Sequence, residues 1–361
     1  MTEPTSFPEP MPPGPPTGAA LPAAPLPLVV PEPPPPNMAH PATADPERFV
    51  GLPIERVFDE LQLSPPQYRR AVWRPLFLFL ATCFTTFCAG CYGWDVAFLW
   101  DGSLGTKIAA NWRQGLIYMA CVMGVLLAHE MGHFLMTVRY RIHASFPIFL
   151  PVPVMMTGTM GAVIRMDGLR ANRRQLFDIG LAGPLAGLVL TIPLVCFGLK
   201  YAKPAPPIDP AIVAAGDTSE LERPHYGRPL MVQIVQPWIR PDLPPDVDLA
   251  ENAFYMAGWV GMLVTGLNML PMSQLDGGHV IHALFGRRGR WIARGFLLTA
   301  IVTVIATDNY NWLAMLCVII FLGVDHPPSA NDRMPLGRLR WCLGLASLVI
   351  PIFCFMLTPI S

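Results

Sequence analysis

The chain has 361 residues, of which 52% are hydrophobic and 14% charged, against roughly 25% charged in an ordinary soluble domain. Its 25 basic and 25 acidic side chains cancel, so bulk charge gives no reason to expect a nucleic-acid partner. The shortage of charge is concentrated: residues 75–94, 179–199, 252–275 and 341–361 contain no Asp, Glu, Lys, Arg or His. A helix rises about 1.5 Å per residue, so ~20 residues cross a hydrocarbon core of about 30 Å, and runs of this length read as membrane spans.

Residues 1–46 carry 17 of the 42 prolines, and no Lys or Arg precedes Arg48. This composition predicts a disordered, polyproline-biased tail of acidic character. It lacks the basic start and apolar stretch of a secretory signal and the arginine richness of an organelle transit peptide. A bacterial cytoplasmic membrane is the expected location. Residues 47–74 follow as a cytoplasmic pre-membrane segment, and 75–361 form the membrane domain.

Within that domain, apolar runs and their breakers predict spans near 75–96 and 114–138. The stretch from Pro147 to Met166 is punctuated by Pro and Gly but rich in Val, Ile, Thr and Phe, which predicts a hairpin or re-entrant loop. Spans at 176–199 and 252–272 flank a polar outer loop, 200–250. The shorter runs 291–307 and 309–324 read as a helical hairpin turning at Asp308 and Asn309, and a last span covers 341–358. The expected fold is an all-α polytopic membrane protein of about six to seven transmembrane helices with a re-entrant β-hairpin. The eight cysteines fall almost entirely in apolar runs and read as buried small hydrophobes. Cys88 and Cys91 make a single CxxC with no second pair, a weak metal or redox signal.

Lys and Arg counted over alternate loops set the orientation. An internal N-terminus puts 18 on the inner side, from Arg48 to Arg340, and 7 on the outer side, from Lys107 to Arg240. The N-terminus is therefore expected in the cytoplasm.

The second span contains His129-Glu130-Met131-Gly132-His133. Residues four apart on a helix lie about 40° apart in projection, so both imidazoles face one side and can share a metal ion. Glu130 is then placed to deprotonate a metal-bound water. Ionisable groups inside an apolar segment are costly and mark function by default. A catalytic zinc takes three protein ligands and leaves one position open. Glu220 and Glu222 in the outer loop and Glu251 at the outer end of the fourth span are the downstream glutamates. Asp276 ends that same run at its cytoplasmic side, where Pro271 and the glycines are expected to break the helix, and is the better ligand.

HEMGH in an early membrane helix followed by N-x-x-P-x-x-x-L-D-G-G from Asn268 to Gly278 resembles the site-2 protease family of intramembrane zinc metalloproteases. The similarity runs from about residue 115 to 345 and includes Gly158 to Ala162, the LFDIGLAGPLAG stretch at 176–187 and Asp325-His326-Pro327-Pro328. With no PDZ module between the motifs, the chain looks most like the cyanobacterial and chloroplast branch. The resemblance implies that His129, His133 and Asp276 bind one Zn2+ and that Glu130 is the general acid/base. It also implies that Asn268 contacts the substrate backbone or developing oxyanion. Gly158, Thr159, Met160, Gly161 and Ala162 would offer a strand edge to an unwound substrate helix. Such an edge has an independent reason: a transmembrane helix satisfies its own amides, so its peptide bonds are reachable only once it is locally extended and re-paired.

The expected activity is hydrolysis of peptide bonds inside transmembrane segments of membrane-anchored proteins, with the lipid bilayer as the other partner and no nucleic acid. A metal-binding membrane protein or transporter is the alternative, but no internal repeat of the transporter kind is evident. The oligomeric state is left open by the residues. Among the remaining polar groups, His143, His279, His282 and His326 read as interfacial or structural, with a supporting role at the metal considered for His143 and His279. Asp178 is expected to cap its helix or pair with Arg173 or Arg174. Gly183 and Gly187 have the GxxxG spacing that permits close helix packing.

Overall fold

The structure, a computed structural model, divides into Met1–Pro65 and Pro66–Ser361. It describes residues 66–94, 102–166, 171–205, 226–244, 247, 249–272, 274–306, 312, 313, 316, 317, 320, 323 and 329–355. The proline-rich tail, Glu220, Glu222, the turn at Asp308 and Asn309, and His326 lie outside the described residues.

The elements in chain order are α1 (Pro66–Cys91), α2 (Leu104–Arg139), β1 (Ile148–Pro151), β2 (Thr159–Val163), α3 (Arg173–Tyr201), α4 (Leu230–Ile239), α5 (Ala253–Asn268), α6 (Asp276–Phe285), α7 (Gly289–Ala306), α8 (Arg338–Ser347) and α9 (Ile350–Cys354). A short 3-10 turn, Gly286–Arg288, joins α6 to α7. Among the described residues, four helical stretches are long and apolar enough to cross a membrane: Val72–Cys91, Leu104–Arg139, Arg173–Tyr201 and Asp276–Ala306. Their outward faces carry exposed apolar side chains such as Phe77, Phe84, Val189, Leu298 and Ile305, as expected of a bundle solvated by lipid.

The predicted spans at 75–96, 114–138 and 176–199 correspond to α1, α2 and α3. Of the other four, 309–324 falls mostly outside the described residues, and the remaining three depart from expectation. The span at 252–272 is the 16-residue helix α5, about 24 Å long, and it is buried along most of its length. It sits inside the bundle against α2 and α3, and it stops at Asn268, two residues before the Leu270-Pro271 step, where proline can donate no backbone N–H.

The helix is interrupted around Pro271 as expected, between Asn268 and Asp276, but Gly277 and Gly278 lie outside the interruption. They open the next helix, which begins at Asp276 rather than at 291. A side chain on Gly277 would lie 2.1 Å from the Met269 carbonyl oxygen and 2.4 Å from that of Leu270, so the bare residue lets α6 start directly beneath the end of α5. The last predicted span, 341–358, is divided into α8 and α9 at Leu348 and Val349, just before Pro351.

The expected hairpin is present. β1 and β2 form a two-stranded antiparallel sheet with Ile148 opposite Val163, Phe149 opposite Ala162 and Pro151 opposite Thr159, irregular between Phe149 and Pro151. Its turn is pressed onto the bundle. The Thr85 hydroxyl donates to the Gly158 carbonyl at 2.7 Å, and the Tyr118 hydroxyl donates to the Thr157 carbonyl at 3.2 Å. Gly158 has φ +73°, and a Cβ there would fall 2.6 Å from the Thr85 carbonyl oxygen, so both its conformation and its space require glycine.

Asp178 neither caps α3 nor pairs with Arg173 or Arg174. It lies too far along the helix to reach the free N–H groups, and Asn172 caps instead, in a reciprocal capping box with Gln175,. The Asp178 carboxylate accepts from Arg340 Nε and Nη2, at 2.8 and 2.9 Å, and from the Tyr140 hydroxyl. Burial first, then the facing Asp178 carboxylate, raises the Tyr140 hydroxyl pKa above its ordinary value. This cluster joins the end of α2 to α3 and α8. Asp178→Asn is expected to destabilise the purified protein by about 1 kcal/mol, because it removes the carboxylate that a partly exposed guanidinium and the Tyr140 hydroxyl share,; detergent unfolding monitored by circular dichroism measures it.

Candidate metal centre

His129, Glu130 and His133 are all buried in the C-terminal third of α2. The two imidazoles are 4.9 Å apart between ring centres and inclined at 69°. They face α3 at its glycines: an added Cβ on Gly183 would lie 2.1 Å from His133 Nε2, and one on Gly187 would lie 3.2 Å from His129 Nδ1. Gly132 meets the Ala182 carbonyl oxygen from the other side, at 2.5 Å for the same construction. The GxxxG row of α3 thus packs on α2 and makes room for its two histidines.

Asp276, the first residue of α6, completes the group. Its Oδ2 is 3.2 Å from His129 Nε2 and its Oδ1 is 3.3 Å from His133 Nε2. One ligand atom from each of the three residues lies within 4.8 Å of the others. Tetrahedral zinc with bonds of about 2.0–2.2 Å separates its ligand atoms by about 3.3–3.6 Å, so the donor set and spacing fit that ion. The other nitrogen of His133 is held 2.7 Å from the Ile179 carbonyl oxygen. Donation of Nδ1–H to that carbonyl leaves Nε2 as the free lone pair, the arrangement metal-binding histidines use.

Asn268, the last residue of α5, has its amide nitrogen 3.2 Å from His129 Nε2. Glu130 lies within electrostatic reach of both histidines and Asp276. The hairpin approaches from the same side: a Cβ on Gly161 would stand 4.0 Å from Val264 Cγ1, one turn before Asn268 on α5. In that strand Thr159, Gly161 and Ala162 are buried and Met160 is exposed. Glu251 precedes the opposite end of α5 and is exposed, so it is not part of the group. His143 is likewise exposed and apart from it.

Several supporting groups escaped the sequence reading. The Arg173 guanidinium reaches across to the last carbonyls of α6, donating to Ala283 and, at 2.9 Å, to Leu284. His282 Nε2 lies 3.0 Å from Asp332 Oδ1, which also accepts the Ser329 hydroxyl. Together these hold the far end of the helix whose first residue is Asp276. A basic residue in the first turn of a helix opposes the macrodipole, and that local misfit at Arg173 was the available signal that its partner lay elsewhere. Burial pushes the Asp332 carboxyl up, but the Ser329 hydroxyl and His282 outweigh it and hold it below its ordinary value.

The sequence profile of peptidase family M50 matches residues 117–306, slightly more than half of the chain and the stretch containing His129, Glu130, His133, Asn268 and Asp276. The chain belongs to peptidase family M50. Among the curated proteins, this M50 chain is similar to "Probable zinc metalloprotease EGY1, chloroplastic" of Oryza sativa, 29% identical over 252 residues, 66% of this chain and 39% of that protein. The protein of the same description in Arabidopsis thaliana is 30% identical over 237 residues, 63% and 40% of the two chains. "Probable zinc metalloprotease EGY2, chloroplastic" of Arabidopsis thaliana is 31% identical over 174 residues, 48% and 29%. The chain spans about two fifths or less of the length of these relatives. They agree with the expected chloroplast-type branch, and as chloroplastic proteins they weigh weakly against the bacterial membrane expected from the tail. No solved structure matches the chain.

Two outcomes follow from this geometry. Gly183→Ala is expected to displace the His133 ring and lose metal in a dialysis assay while helix content by circular dichroism is retained, since alanine favours a helix over glycine. For Asp332, a carboxyl held low in the folded protein stabilises it above the ordinary carboxylate pKa and loses that contribution as pH falls through the lowered value. The melting temperature of Asp332→Asn should accordingly fall below that of the unaltered protein at neutral pH, and the difference should begin to shrink at about pH 3.9 and close below the lowered value, when both are scanned by fluorescence.

Proposed function

We propose that this M50 chain is an intramembrane zinc metallopeptidase that hydrolyses peptide bonds within transmembrane segments of membrane-anchored proteins. The observation that carries the reading is the convergence of His129, His133 and Asp276 on one point inside a bundle of apolar helices, with Glu130 beside them. Three such groups buried together without a cation would be costly, and a divalent ion offsets that cost. The names of the curated relatives agree with zinc as that ion.

In this reading His129, His133 and Asp276 hold the metal. Bound zinc supplies a Lewis acid that polarises a carbonyl and brings a water pKa to near 7. Glu130 takes the proton of the attacking water and delivers it to the departing amine. Asn268 stands at the end of α5 beside His129 and donates to the substrate carbonyl as charge develops on it. Gly158 to Ala162 pair with the extended substrate, whose freed amide groups need partners once its helix is unwound.

The excess of Lys and Arg on alternate loops supports a cytoplasmic N-terminus, with the metal centre in the cytoplasmic half of the membrane. The broken backbone from Met269 to Leu275 is the path by which water reaches it, since irregular backbone at membrane depth is tolerated where it lines a wet cavity. A protein that only carried metal would have no use for Glu130.

Purified protein mixed with a transmembrane peptide should cleave it, and a chelator should stop cleavage until zinc is returned. Glu130→Gln is expected to lower the rate by about 100-fold or more, the contribution of a general base, while zinc content is kept. Asp276→Asn should weaken zinc binding. Normal cleavage by Glu130→Gln, or unchanged zinc affinity in Asp276→Asn, would overturn the assignment.

A further inference from the structure

The α6–α7 connection carries a concentration of cations that the metal centre does not use. Arg287, Arg288, Arg290 and Arg294 fall within eight residues, and no Asp or Glu occurs anywhere from 277 to 307. Arg287 and Arg288 occupy the 3-10 turn, which is set by Gly286 at φ +56°. Arg290 and Arg294 lie on the first two turns of α7 with Trp291 between them. Positions 287, 290, 291 and 294 recur at the i, i+3, i+4, i+7 spacing of one helix face.

All four arginines are exposed, as is Trp291 at 67%. The Arg294 guanidinium stands over the Trp291 ring, 5.4 Å from its centre, and Arg290 Nε donates to the Arg287 carbonyl at 3.1 Å. Among the described residues no carboxylate pairs with Arg287, Arg288 or Arg290. Directly beyond this cluster, α7 presents Leu298, Val302 and Ile305 outward, exposed by 65, 55 and 66%, in the second half of the apolar stretch Asp276–Ala306. The exposed apolar face of α7 is therefore preceded, at the start of that helix, by four exposed guanidinium groups and a tryptophan. Tryptophan settles at headgroup depth, and the planar guanidinium fork matches two phosphate oxygens at once.

We propose that Arg287, Arg288, Arg290 and Arg294, with Trp291, form a binding site for the headgroups of acidic phospholipids. The site sits on the helix continuous with the one that begins at Asp276, so bound lipid also holds the α6–α7 connection at the membrane surface. The proposal is independent of the peptidase reading and stands or falls without a cleavage assay.

The test reconstitutes the full chain in phosphatidylcholine bilayers and compares spin-labelled phosphatidylglycerol with spin-labelled phosphatidylcholine in the motionally restricted shell by electron paramagnetic resonance. Phosphatidylglycerol should be preferred by about fivefold, what a single cation near an anionic surface supplies. The triple variant Arg287→Gln/Arg288→Gln/Arg290→Gln should bring the preference close to one, while Lys107→Gln/Arg113→Gln, at the other end of the bundle, should leave it in place. If the triple variant does not reconstitute, salt decides on the unaltered protein. Raising NaCl from about 0.01 to about 1 M shortens the screening length from about 30 to about 3 Å and must lower the preference. An equal preference for the two lipids, a preference that survives both the triple variant and salt, or its loss to inorganic phosphate at matched ionic strength, which would mark a free-phosphate site, overturns the proposal.

Discussion

Two imidazoles and a carboxylate drawn together inside an apolar bundle set the terms for the rest of the structure. Each is costly to bury alone. They are tolerable only where each finds the others, and the metal they would hold, at a fixed distance. Asp276 lies 147 positions after His129 in the chain, yet its two oxygens reach Nε2 of both histidines at 3.2 and 3.3 Å. The bundle is arranged so that α2, α5 and α6 meet at that point.

Small residues make the meeting possible. Gly183 and Gly187 leave room on α3 for the histidines of α2, and Gly132 lets the two backbones approach. Gly277 lets α6 start against the last carbonyls of α5, which places Asp276 next to Asn268 rather than a helix diameter away. In lipid, where apolar side chains gain nothing by leaving the solvent for one another, close backbone contact of this kind is a main source of helix association. The same residues therefore serve the stability of the bundle and the geometry of the site.

A second layer of polar contacts fixes the ends of these helices near the loop side. Arg173 caps α6, Asp332 holds His282, and Asp178 gathers Tyr140 and Arg340. None of them touches the candidate metal ligands. They hold the segments whose shifts would carry Asp276 away from the imidazoles, and a displacement of about 1 Å is enough to spoil a catalytic arrangement.

Much of this was legible in the sequence, because uncharged runs of about 20 residues and two histidines four apart have few other meanings. The HEMGH histidines and Glu130, the likeness of two spaced motifs to a protease family, the hairpin after the second span and the choice of Asp276 over the glutamates all came from local composition and order. What the sequence could not decide was set by contacts between distant segments. The burial of α5 inside the bundle, the start of α6 at Asp276 and the partner of Asp178 depend on which faces pack together. Periodicity reports that a segment is apolar, but a lipid-facing helix and a buried one are equally apolar. Only the tertiary structure, through glycine-sized gaps and paired polar groups, distinguishes them.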